Sequence, residues 1–271
     1  MKYQQILPPG HLKEYISGFW TLEAPADRTT PHAFQTFADG CPGLIFQTVE
    51  QGSFYQNDKV LPVFFLYGQA TTHARIHATG KLRAVGIFLR PNALKAVFGL
   101  NAGILTDTCM DANTLMRPDG ASLSEQLVNT TSTTGQIELI SSWINTQAER
   151  NNARKNDMMH YAVSAIARSK GNVALKGLQI ELRLSERSFE RKFKEYIGIS
   201  PKLFSRICRF QASLKQLRNN DFSKLSDIAF ENEYADQSHF IRAFKEFAGF
   251  SPFQYQKQTP ELIENLATLL K

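Results

Sequence analysis

The carboxyl-terminal half of this chain contains the segment Ser185-Glu-Arg-Ser-Phe-Glu-Arg-Lys-Phe-Lys-Glu-Tyr-Ile-Gly-Ile-Ser-Pro201. A related segment follows 51 residues later, Asp236-Gln-Ser-His-Phe-Ile-Arg-Ala-Phe-Lys-Glu-Phe-Ala-Gly-Phe-Ser-Pro252. Eight of the 17 aligned positions are identical, and these are Phe189/Phe240, Arg191/Arg242, Phe193/Phe244, Lys194/Lys245, Glu195/Glu246, Gly198/Gly249, Ser200/Ser251 and Pro201/Pro252. Chance does not give so dense a match, so the chain contains an internal repeat.

Each copy has the pattern of one capped amphipathic helix. Ser185 and Asp236 are expected N-caps, because their side-chain oxygens can accept from free amides of the first turn. Gly198 and Gly249 suit the left-handed position just after a helix. The apolar residues Phe189, Phe193 and Ile197, and Phe240, Phe244 and Phe247, predict one buried stripe in each helix. The opposite stripes are polar and mainly basic, with Arg187, Arg191 and Lys194 in the first copy and Ser238, Arg242 and Lys245 in the second.

A shorter helix is expected before each copy, over residues 175–182 and 225–232. Only three or four residues separate the members of each pair, which is the arrangement of a helix-turn-helix. The two pairs are joined by one long predicted helix, about residues 201–219, that begins at Ser200-Pro201. Such a connection could hold the two basic helices about one DNA turn, ~34 Å, apart, where they would enter successive major grooves. The alternative is an ordinary solvated basic surface, although packing alone requires the repeated phenylalanines and not the repeated arginines.

The charge of the chain is concentrated in the same half. The whole chain has 31 Lys+Arg and 25 Asp+Glu, a net charge of +6. Residues 1–153 carry 11 basic and 12 acidic side chains, and residues 154–271 carry 20 and 13. A basic half beside a neutral half indicates a polyanionic partner, most often nucleic acid, while a basic helical surface without such a partner stays open.

The segment from Asp227 to Tyr255 closely resembles the signature of the AraC/XylS family of bacterial transcription regulators. The resemblance extends over about residues 157–257, because residues 184–204 are similar to the family's first helix-turn-helix. It implies that residues 185–197 and 236–248 form recognition helices. The implied base-reading residues are Arg187, Glu190 and Arg191 in the first helix and Gln237, Ser238, His239 and Arg242 in the second. Ser185, Lys194, Lys202 and Lys245 would contact phosphates, and capping or packing is the alternative role for Ser238 and His239.

The types of these side chains suit base recognition. Arginine pairs with guanine O6 and N7, glutamine pairs with adenine N6 and N7, and glutamate accepts from cytosine N4. Two positions depart from the family pattern. Arg183 and Glu233 stand where the family often has glycine in the turn, and a positive φ there would cost roughly 1 kcal/mol. Gln179 replaces the small alanine that the second copy retains as Ala229, so the first motif is expected to sit slightly differently.

The first half reads as short strands followed by helices, so the expected fold class is α+β. Residues 43–49, 63–67 and 82–89 are rich in β-branched and aromatic side chains and are bounded by glycine and proline. Helices are predicted over residues 91–98 and 136–150. Residues 37–46 and 84–92 resemble the uncharacterised N-terminal half of many small AraC-type regulators, which implies a cupin-like sensory or dimerisation domain over residues 1–153. The DNA-binding domain would then occupy residues 157–258, after a linker at 151–156 and before a C-terminal helix at 259–271.

An apolar ligand pocket is a hypothesis for the first half. Its candidate lining residues are Phe34, Phe46, Phe64, Tyr67, Arg75 and Phe88, with a plain hydrophobic core as the alternative. His73 and His77 share a strand face with Arg75, which would repel a cation, and no third ligand is close in sequence. A metal site is therefore not expected. Trp20 and Trp143 are expected in a core or an interface.

Other function classes lack their signatures. The sequence has no run of ~18 apolar residues and no apolar stretch typical of a signal peptide at its start. The three cysteines, Cys41, Cys109 and Cys208, are far apart and predict a reducing cytoplasm. GxSxG, HExxH and glycine-rich phosphate loops do not occur, so neither an enzyme nor a cofactor is expected.

The first hypothesis is therefore a cytoplasmic, nucleoid-associated regulator that binds specific double-stranded DNA and is modulated by its first half. RNA polymerase, a small-molecule effector and a second copy are the further expected partners, and activation against repression stays open. One alternative is a cupin-type enzyme or small-molecule-binding protein with a helical docking module. Another is a homodimer without a ligand, in which the first half only assembles the protein.

Overall fold

The computed structural model describes residues 2–25, 32–50, 54–56, 59–115, 122–151 and 157–257. The described chain is α+β, as predicted. Its N-terminal part (2–151) contains strands and helices, and among the described residues its helical part (157–257) contains helices without strands. The predicted C-terminal helix at 259–271 and most of the predicted linker lie outside these residues.

The strands form two antiparallel sheets. The strands are β1 (Lys2–Ile6), β2 (Ile16–Ala24), β3 (His32–Thr36), β4 (Gly43–Glu50), β5 (Phe54–Gln56), β6 (Lys59–Val60), β7 (Phe64–Tyr67), β8 (Ala74–Ala78), β9 (Lys81–Leu89) and β10 (Cys109–Asp111). The larger sheet has the order β1-β2-β9-β4-β7-β10, and the smaller sheet has the order β3-β8-β5-β6. The three strands predicted from composition are β4, β7 and β9, and they lie side by side in the larger sheet.

The larger sheet is buried on both faces. One face contributes Phe19, Phe46, Phe64 and Ile87 to a core that is closed by helices. The other face contributes Leu22, Ile45, Phe65 and Ala84 to a second core against the smaller sheet. Successive side chains of a strand point to opposite faces, so each of these strands contributes apolar side chains to both cores.

Three helices belong to the N-terminal part: α1 (Ala93–Phe98), α2 (Leu123–Asn129) and α3 (Thr133–Asn151). Helix α1 ends at Gly99, whose φ of 68° is the left-handed conformation that glycine favours just after a helix. Helix α3 buries Ile140 and Ile144 in the helix-covered core of the larger sheet. Trp143 of α3 packs against Phe64 and Phe98, so it is a core residue as expected.

The helical part contains seven helices among the residues that the structure describes. They are α4 (Asp157–Arg168), α5 (Leu175–Glu181), α6 (Glu186–Ile197), α7 (Pro201–Arg218), α8 (Leu225–Glu231), α9 (Gln237–Ala248) and α10 (Pro252–Lys257). Helix α7 is the predicted long connection, and it buries Phe204, Ile207, Phe210 and Leu214 in the core of this part. Helices α4, α6, α8 and α9 pack against α7, so the two helix-turn-helix pairs share one core.

Residues 35–41, here called the arm, begin at the end of β3 and continue into that core. The Phe37 ring contacts Phe250 and Tyr255 edge-on, with ring centroids 5.6 and 6.4 Å away. The Ala38 amide donates to the Phe247 carbonyl at 3.2 Å, and the Ala38 carbonyl accepts from Gln211 Nε2 at 2.6 Å. The two parts of the chain are therefore packed together through the arm, a contact that no local sequence pattern predicted.

Candidate nucleic-acid interface

The first repeat folds as the capped helix that its sequence predicts. The Ser185 side chain accepts from the Ser188 amide at 3.3 Å, and Gly198 follows α6 with a φ of 94°. Phe189, Phe193 and Ile197 are fully buried. This apolar stripe fixes the rotation of α6, so the stripe with the arginines must face outward.

The second repeat folds in the same way. The Asp236 carboxylate accepts from the His239 amide at 2.7 Å, and Gly249 follows α9 with a φ of 86°. Phe240, Phe244 and Phe247 are buried to 1% exposure or less. Both helices have 12 residues, about 18 Å of helix, which is long enough to lie in a major groove.

The residues predicted to read bases lie mostly on the exposed side of these helices. Those classed as exposed are Arg187, Glu190, Arg191, Gln237, Ser238 and Arg242. The four predicted phosphate contacts, Ser185, Lys194, Lys202 and Lys245, are exposed as well. The fold thus exposes these side chains to solvent. Their contacts with DNA stay a prediction.

His239 is the exception among the predicted base contacts. Its ring is half-buried and packs edge-on against Tyr234, with centroids 5.4 Å apart. Its Nδ1 accepts from the Ala235 amide at 3.4 Å, a long hydrogen bond that ties the ring to the turn before α9. The capping-and-packing role that sequence reasoning left open is therefore present for His239, whereas Ser238 is exposed.

The acidic residues repeated in the two helices are both engaged in ion pairs. Glu195 pairs with Lys95 of α1 at 2.9 Å, and Glu246 pairs with Arg206 of α7. The Arg206 guanidinium also stacks over the Phe247 ring. These two glutamates are thus paired outside their own helices, and the exposed stripes carry Arg187, Arg191, Lys194, Arg242 and Lys245 together with the acidic Glu190. These stripes can attract a polyanion such as the phosphate backbone.

The turn of each motif contains one residue in the left-handed conformation, at the position where the related family often has glycine. Arg183 has a φ of 52° and Glu233 a φ of 55°, although neither is glycine. Both turns therefore have a left-handed residue where glycine would be favoured, at a cost of roughly 1 kcal/mol each. In the supporting helices, Ala229 is buried, whereas the longer Gln179 at the equivalent place is only half-buried.

A second candidate site is a cavity of about 320 Å³ between the two sheets. Of the six predicted lining residues, Tyr67 and Phe88 line it. Phe46 and Phe64 point to the other face of the larger sheet, into the helix-covered core, and Arg75 is exposed. The predicted pocket wall is corrected accordingly. The Phe34 side chain lies outside what the structure describes.

The cavity wall consists largely of residues that sequence reasoning did not choose. Trp20, Ile45, Phe54 and Phe65 line it, together with Tyr3, Leu22, Leu61 and Ile76. The sequence feature that could have identified part of this wall is the presence of glycine inside strands. A Cβ on Gly86 would lie 1.9 Å from the Trp20 ring, and one on Gly43 would lie 2.2 Å from the Tyr67 hydroxyl. These two glycines let the aromatic rings lie flat on the sheet and form the cavity wall.

Trp20 is also notable for its polar atom. Its indole Nε1 is buried and has no hydrogen-bond partner among the described residues. An unpaired buried donor costs about 1–3 kcal/mol, which a bound molecule with an acceptor could recover. Among the described residues, no group of three or more His, Cys, Asp or Glu side chains is placed to hold a metal ion. Within those residues no helix is both long and apolar enough to cross a membrane.

Comparison with protein families identifies two matches. Residues 180–258 match the helix-turn-helix domain family, and residues 4–111 match a domain of unknown function, DUF6597. Both repeated helices lie inside the first match, and strands β2 to β10 with all the cavity-lining residues except Tyr3 lie inside the second.

Curated relatives match over short stretches. An uncharacterized HTH-type transcriptional regulator of Haemophilus influenzae is 36% identical over 74 residues, which is 27% of this chain and 24% of that protein. A further uncharacterized HTH-type transcriptional regulator, from Staphylococcus aureus strain MSSA476, is 31% identical over 81 residues, or 30% of this chain and 11% of that protein. The chain thus spans about a quarter of the first relative and about a ninth of the second.

Solved structures similar to this chain include ToxT from Vibrio cholerae, with a TM-score of 0.47 and 12% identity over 94% of this chain and 98% of that one. The AraC-like transcriptional activator CuxR has a TM-score of 0.31 and 12% identity over 75% of this chain and 91% of that one. Likenesses this distant add nothing to the assignment of the site.

Proposed function

We propose that this chain, whose C-terminal part is a helix-turn-helix domain of the AraC type, is a transcription regulator that binds specific double-stranded DNA. Helices α6 and α9 enter successive major grooves. The observation that carries the proposal is a repeated helix. Each of the two copies is capped, has 12 residues, buries its phenylalanines, exposes its arginines and has a glutamate in an ion pair with a residue outside the helix. Core packing needs the phenylalanines, whereas nothing in the core needs the repeated arginines.

The predicted contact residues divide into two roles. Arg187, Glu190 and Arg191 on α6 and Gln237, Ser238, His239 and Arg242 on α9 face base edges, where bidentate pairs discriminate by about 1–3 kcal/mol each. Ser185, Lys194, Lys202 and Lys245 contact phosphates and set the position of the domain on the duplex. Binding without bond making or breaking is sufficient for this function, so we infer that the protein is not an enzyme.

The test is DNA binding by the full chain, measured by fluorescence anisotropy against the DNA upstream of its own gene and against a scrambled duplex. Replacing Arg191 or Arg242 with alanine should lower affinity for the preferred duplex by roughly five- to 160-fold and reduce the preference over the scramble. Arg168→Ala is the matched control, because Arg168 is exposed on α4, outside both motifs. Equal binding of all four proteins to both duplexes would refute the assignment.

Lysine substitutions test the second role separately. Lys194→Ala or Lys245→Ala should weaken binding about equally for all sequences and reduce the salt slope by about one. A change in sequence preference with an unchanged salt slope would move these residues from the phosphate group to the base-reading group.

We further propose that the N-terminal part modulates DNA binding through a small molecule in the intersheet cavity. A volume of about 320 Å³ fits a small ligand, and the apolar wall with the unpaired Trp20 Nε1 fits a mainly apolar molecule with one acceptor. 2-Naphthol is a suitable probe. It should raise the thermal midpoint of the full chain, and Ile45→Phe, which fills the cavity, should abolish this shift. A shift that is equal in both proteins would exclude the cavity as the binding site.

The remaining partners follow from the regulator function. RNA polymerase and a second copy of the chain are the proposed protein partners, and a cytoplasmic, nucleoid-associated location follows from binding chromosomal DNA. The cavity also suits the alternative of a small-molecule-binding protein with a helical docking module. Anisotropy separates the two, because that alternative predicts no preference for any duplex. Stoichiometric metal in the purified protein would instead favour the cupin-type enzyme.

A further inference from the structure

Residues 68–73, here called the rim segment, connect the two sheets at one end of the cavity. The segment leaves β7 of the larger sheet and enters β8 of the smaller sheet. Gly68, Ala70, Thr72 and His73 line the cavity, so a molecule bound there would touch this segment.

The rim segment is tied to the loop before β10. Gly68 donates to the Thr108 carbonyl at 3.1 Å, and the Asp107 amide donates to the Gln69 carbonyl at 3.0 Å. The Asp107 carboxylate in turn accepts from the amide of Thr71 at 2.7 Å and from its hydroxyl at 2.5 Å. Asp107 and Thr108 also line the cavity. These bonds join the two loops into one unit, so a displacement of one loop is passed to the other.

This unit contacts the end of the first recognition helix. Gln69 is fully buried, and its Oε1 lies where a Cβ on Gly198 would be only 2.5 Å away. The Thr106 hydroxyl donates to the Gly198 carbonyl at 2.9 Å. Gln69 is held from behind, since its Nε2 donates to the Pro91 carbonyl at 3.1 Å. Its Oε1 has no hydrogen-bond partner among the described residues, so its close contact with Gly198 is not fixed by a hydrogen bond.

The same segment contacts the end of the second recognition helix. The His73 ring lies against Gly249, where a Cβ would be 2.6 Å from its Cδ2 atom. Gly198 and Gly249 are the matched glycines of the internal repeat. The two ends of a six-residue segment therefore contact the equivalent point of both helix-turn-helix motifs. The Ala70 carbonyl between them accepts from the Gly40 amide of the arm at 3.4 Å, a long hydrogen bond.

We propose that the rim segment couples the intersheet cavity to DNA binding, because occupancy of the cavity moves Gln69 and His73 against the C-terminal ends of α6 and α9. The inference rests on the proposed function and adds the route of its regulation. The base-reading residues lie in the first two turns of each helix, about 10–18 Å along the axis from the contacted glycine. A tilt forced at the C-terminal end therefore changes how both N-terminal ends meet the grooves.

Cys109 allows a test without knowledge of the natural ligand. It lines the cavity and is half-buried, whereas Cys41 and Cys208 are buried. Burial raises the pKa of the Cys109 thiol, so labelling is best carried out at alkaline pH. Phenethyl methanethiosulfonate would place an aromatic group in the cavity, methyl methanethiosulfonate would place a small one there, and Cys109→Ser should remain unmodified. Mass spectrometry verifies each adduct on the full chain.

The readout is hydrogen–deuterium exchange of the peptides that contain Gly198 and Gly249, measured alongside Kd for the preferred duplex. The phenethyl adduct should change exchange at both helix ends and the Kd by at least threefold, and the methyl adduct should change them less. The Gln69→Ala/His73→Ala double variant should lose this response. His77→Ala, the control for His73, should keep it, because His77 is exposed on β8 and does not line the cavity.

Several outcomes would overturn the coupling. Unchanged exchange at both helix ends in the labelled parent would do so, and so would a full response in the double variant. If the phenethyl adduct unfolds the chain, Ile45→Phe fills the same cavity without a reagent and is judged by the same exchange criterion. A response at the helix ends in a protein that prefers no duplex would refute the DNA-binding function and leave only the structural link between the cavity and the two helix ends.

Discussion

Replacing Asp39 with asparagine should stabilise the protein at pH 8 much more than at pH 4. Asp39 is fully buried in the arm between the two parts of the chain. Burial raises the pKa of its carboxyl from 3.8 to about 7, although the Cys41 amide donates to Oδ1 at 3.0 Å. Asparagine retains an oxygen for that amide and has no charge to bury, so the variant isolates the cost of ionisation.

The sign of the effect follows from proton linkage. Between pH 3.8 and about 7 the folded chain keeps the Asp39 proton and the unfolded chain loses it. Stability due to this group is therefore full below pH 3.8, falls as the pH rises, and stays low above pH 7. At about 1.4 kcal/mol for each unit of pKa shift, the shift corresponds to roughly 4 kcal/mol. That loss is a large fraction of the 5–15 kcal/mol by which native proteins are typically stable.

The assay is urea denaturation of the full chain and of Asp39→Asn at pH 4, 6 and 8. The difference in unfolding free energy between the two proteins should widen by several kcal/mol from pH 4 to pH 8. Other titrating groups cancel in this difference, because both proteins contain them. Asp221→Asn is the matched control, since Asp221 is exposed, and its difference from the parent should stay nearly flat. Parallel pH curves for the parent and Asp39→Asn would show that Asp39 is not held protonated, and the burial argument would fail.

Three further predictions concern the repeated motifs. Arg183→Gly and Glu233→Gly should each raise the unfolding free energy in urea by up to about 1 kcal/mol, because φ values of 52° and 55° favour glycine; a loss of stability would contradict this. Gly249→Ala should destabilise by at least 1–2 kcal/mol, and His73→Ala in the same chain should recover part of the loss if the 2.6 Å approach matters. Asp236→Ala should cost about 1 kcal/mol by loss of the N-cap of α9, and an unchanged urea midpoint would show that the cap is dispensable.

The helical part could be predicted from the sequence because its signals are local. Caps, apolar spacing and left-handed glycines act within one or two turns, and the internal repeat presents each signal twice. The family often has glycine at the position of Arg183, which indicates a positive φ there, and the turn has one although the residue is not glycine. Contacts of these helices with the rest of the chain were not predictable, because residues 69 and 198 are close only through the fold.

The intersheet cavity shows the opposite case. In a sheet buried on both faces, neighbouring residues of a strand are often both apolar, as Ile45 and Phe46 are, so alternation does not reveal which side chains share a face. Choosing Phe46 and Phe64 with Tyr67 and Phe88 mixed the two faces, and the cavity is lined by the neighbours Ile45 and Phe65 instead. Knowing which residues pair between neighbouring strands would have assigned each side chain to a face, because shifting the pairing by one residue moves every side chain of a strand to the opposite face.

The repeat also shows how equivalent positions acquire unequal roles. Glu195 and Glu246 are matched in sequence, yet Glu195 pairs with Lys95 in the N-terminal part and Glu246 pairs with Arg206 within the helical part. The first motif is thus linked to the N-terminal part by an ion pair and by the hydrogen bond between Thr106 and Gly198. The second motif meets that part through His73 and through the Gln35 side chain, which donates to the Ala248 carbonyl at 2.6 Å. Because the two motifs use different contacts, a change in the N-terminal part can move them by different amounts. Under the proposed coupling, the N-terminal part would therefore act on the relative orientation of the two motifs, on which simultaneous entry into two grooves depends.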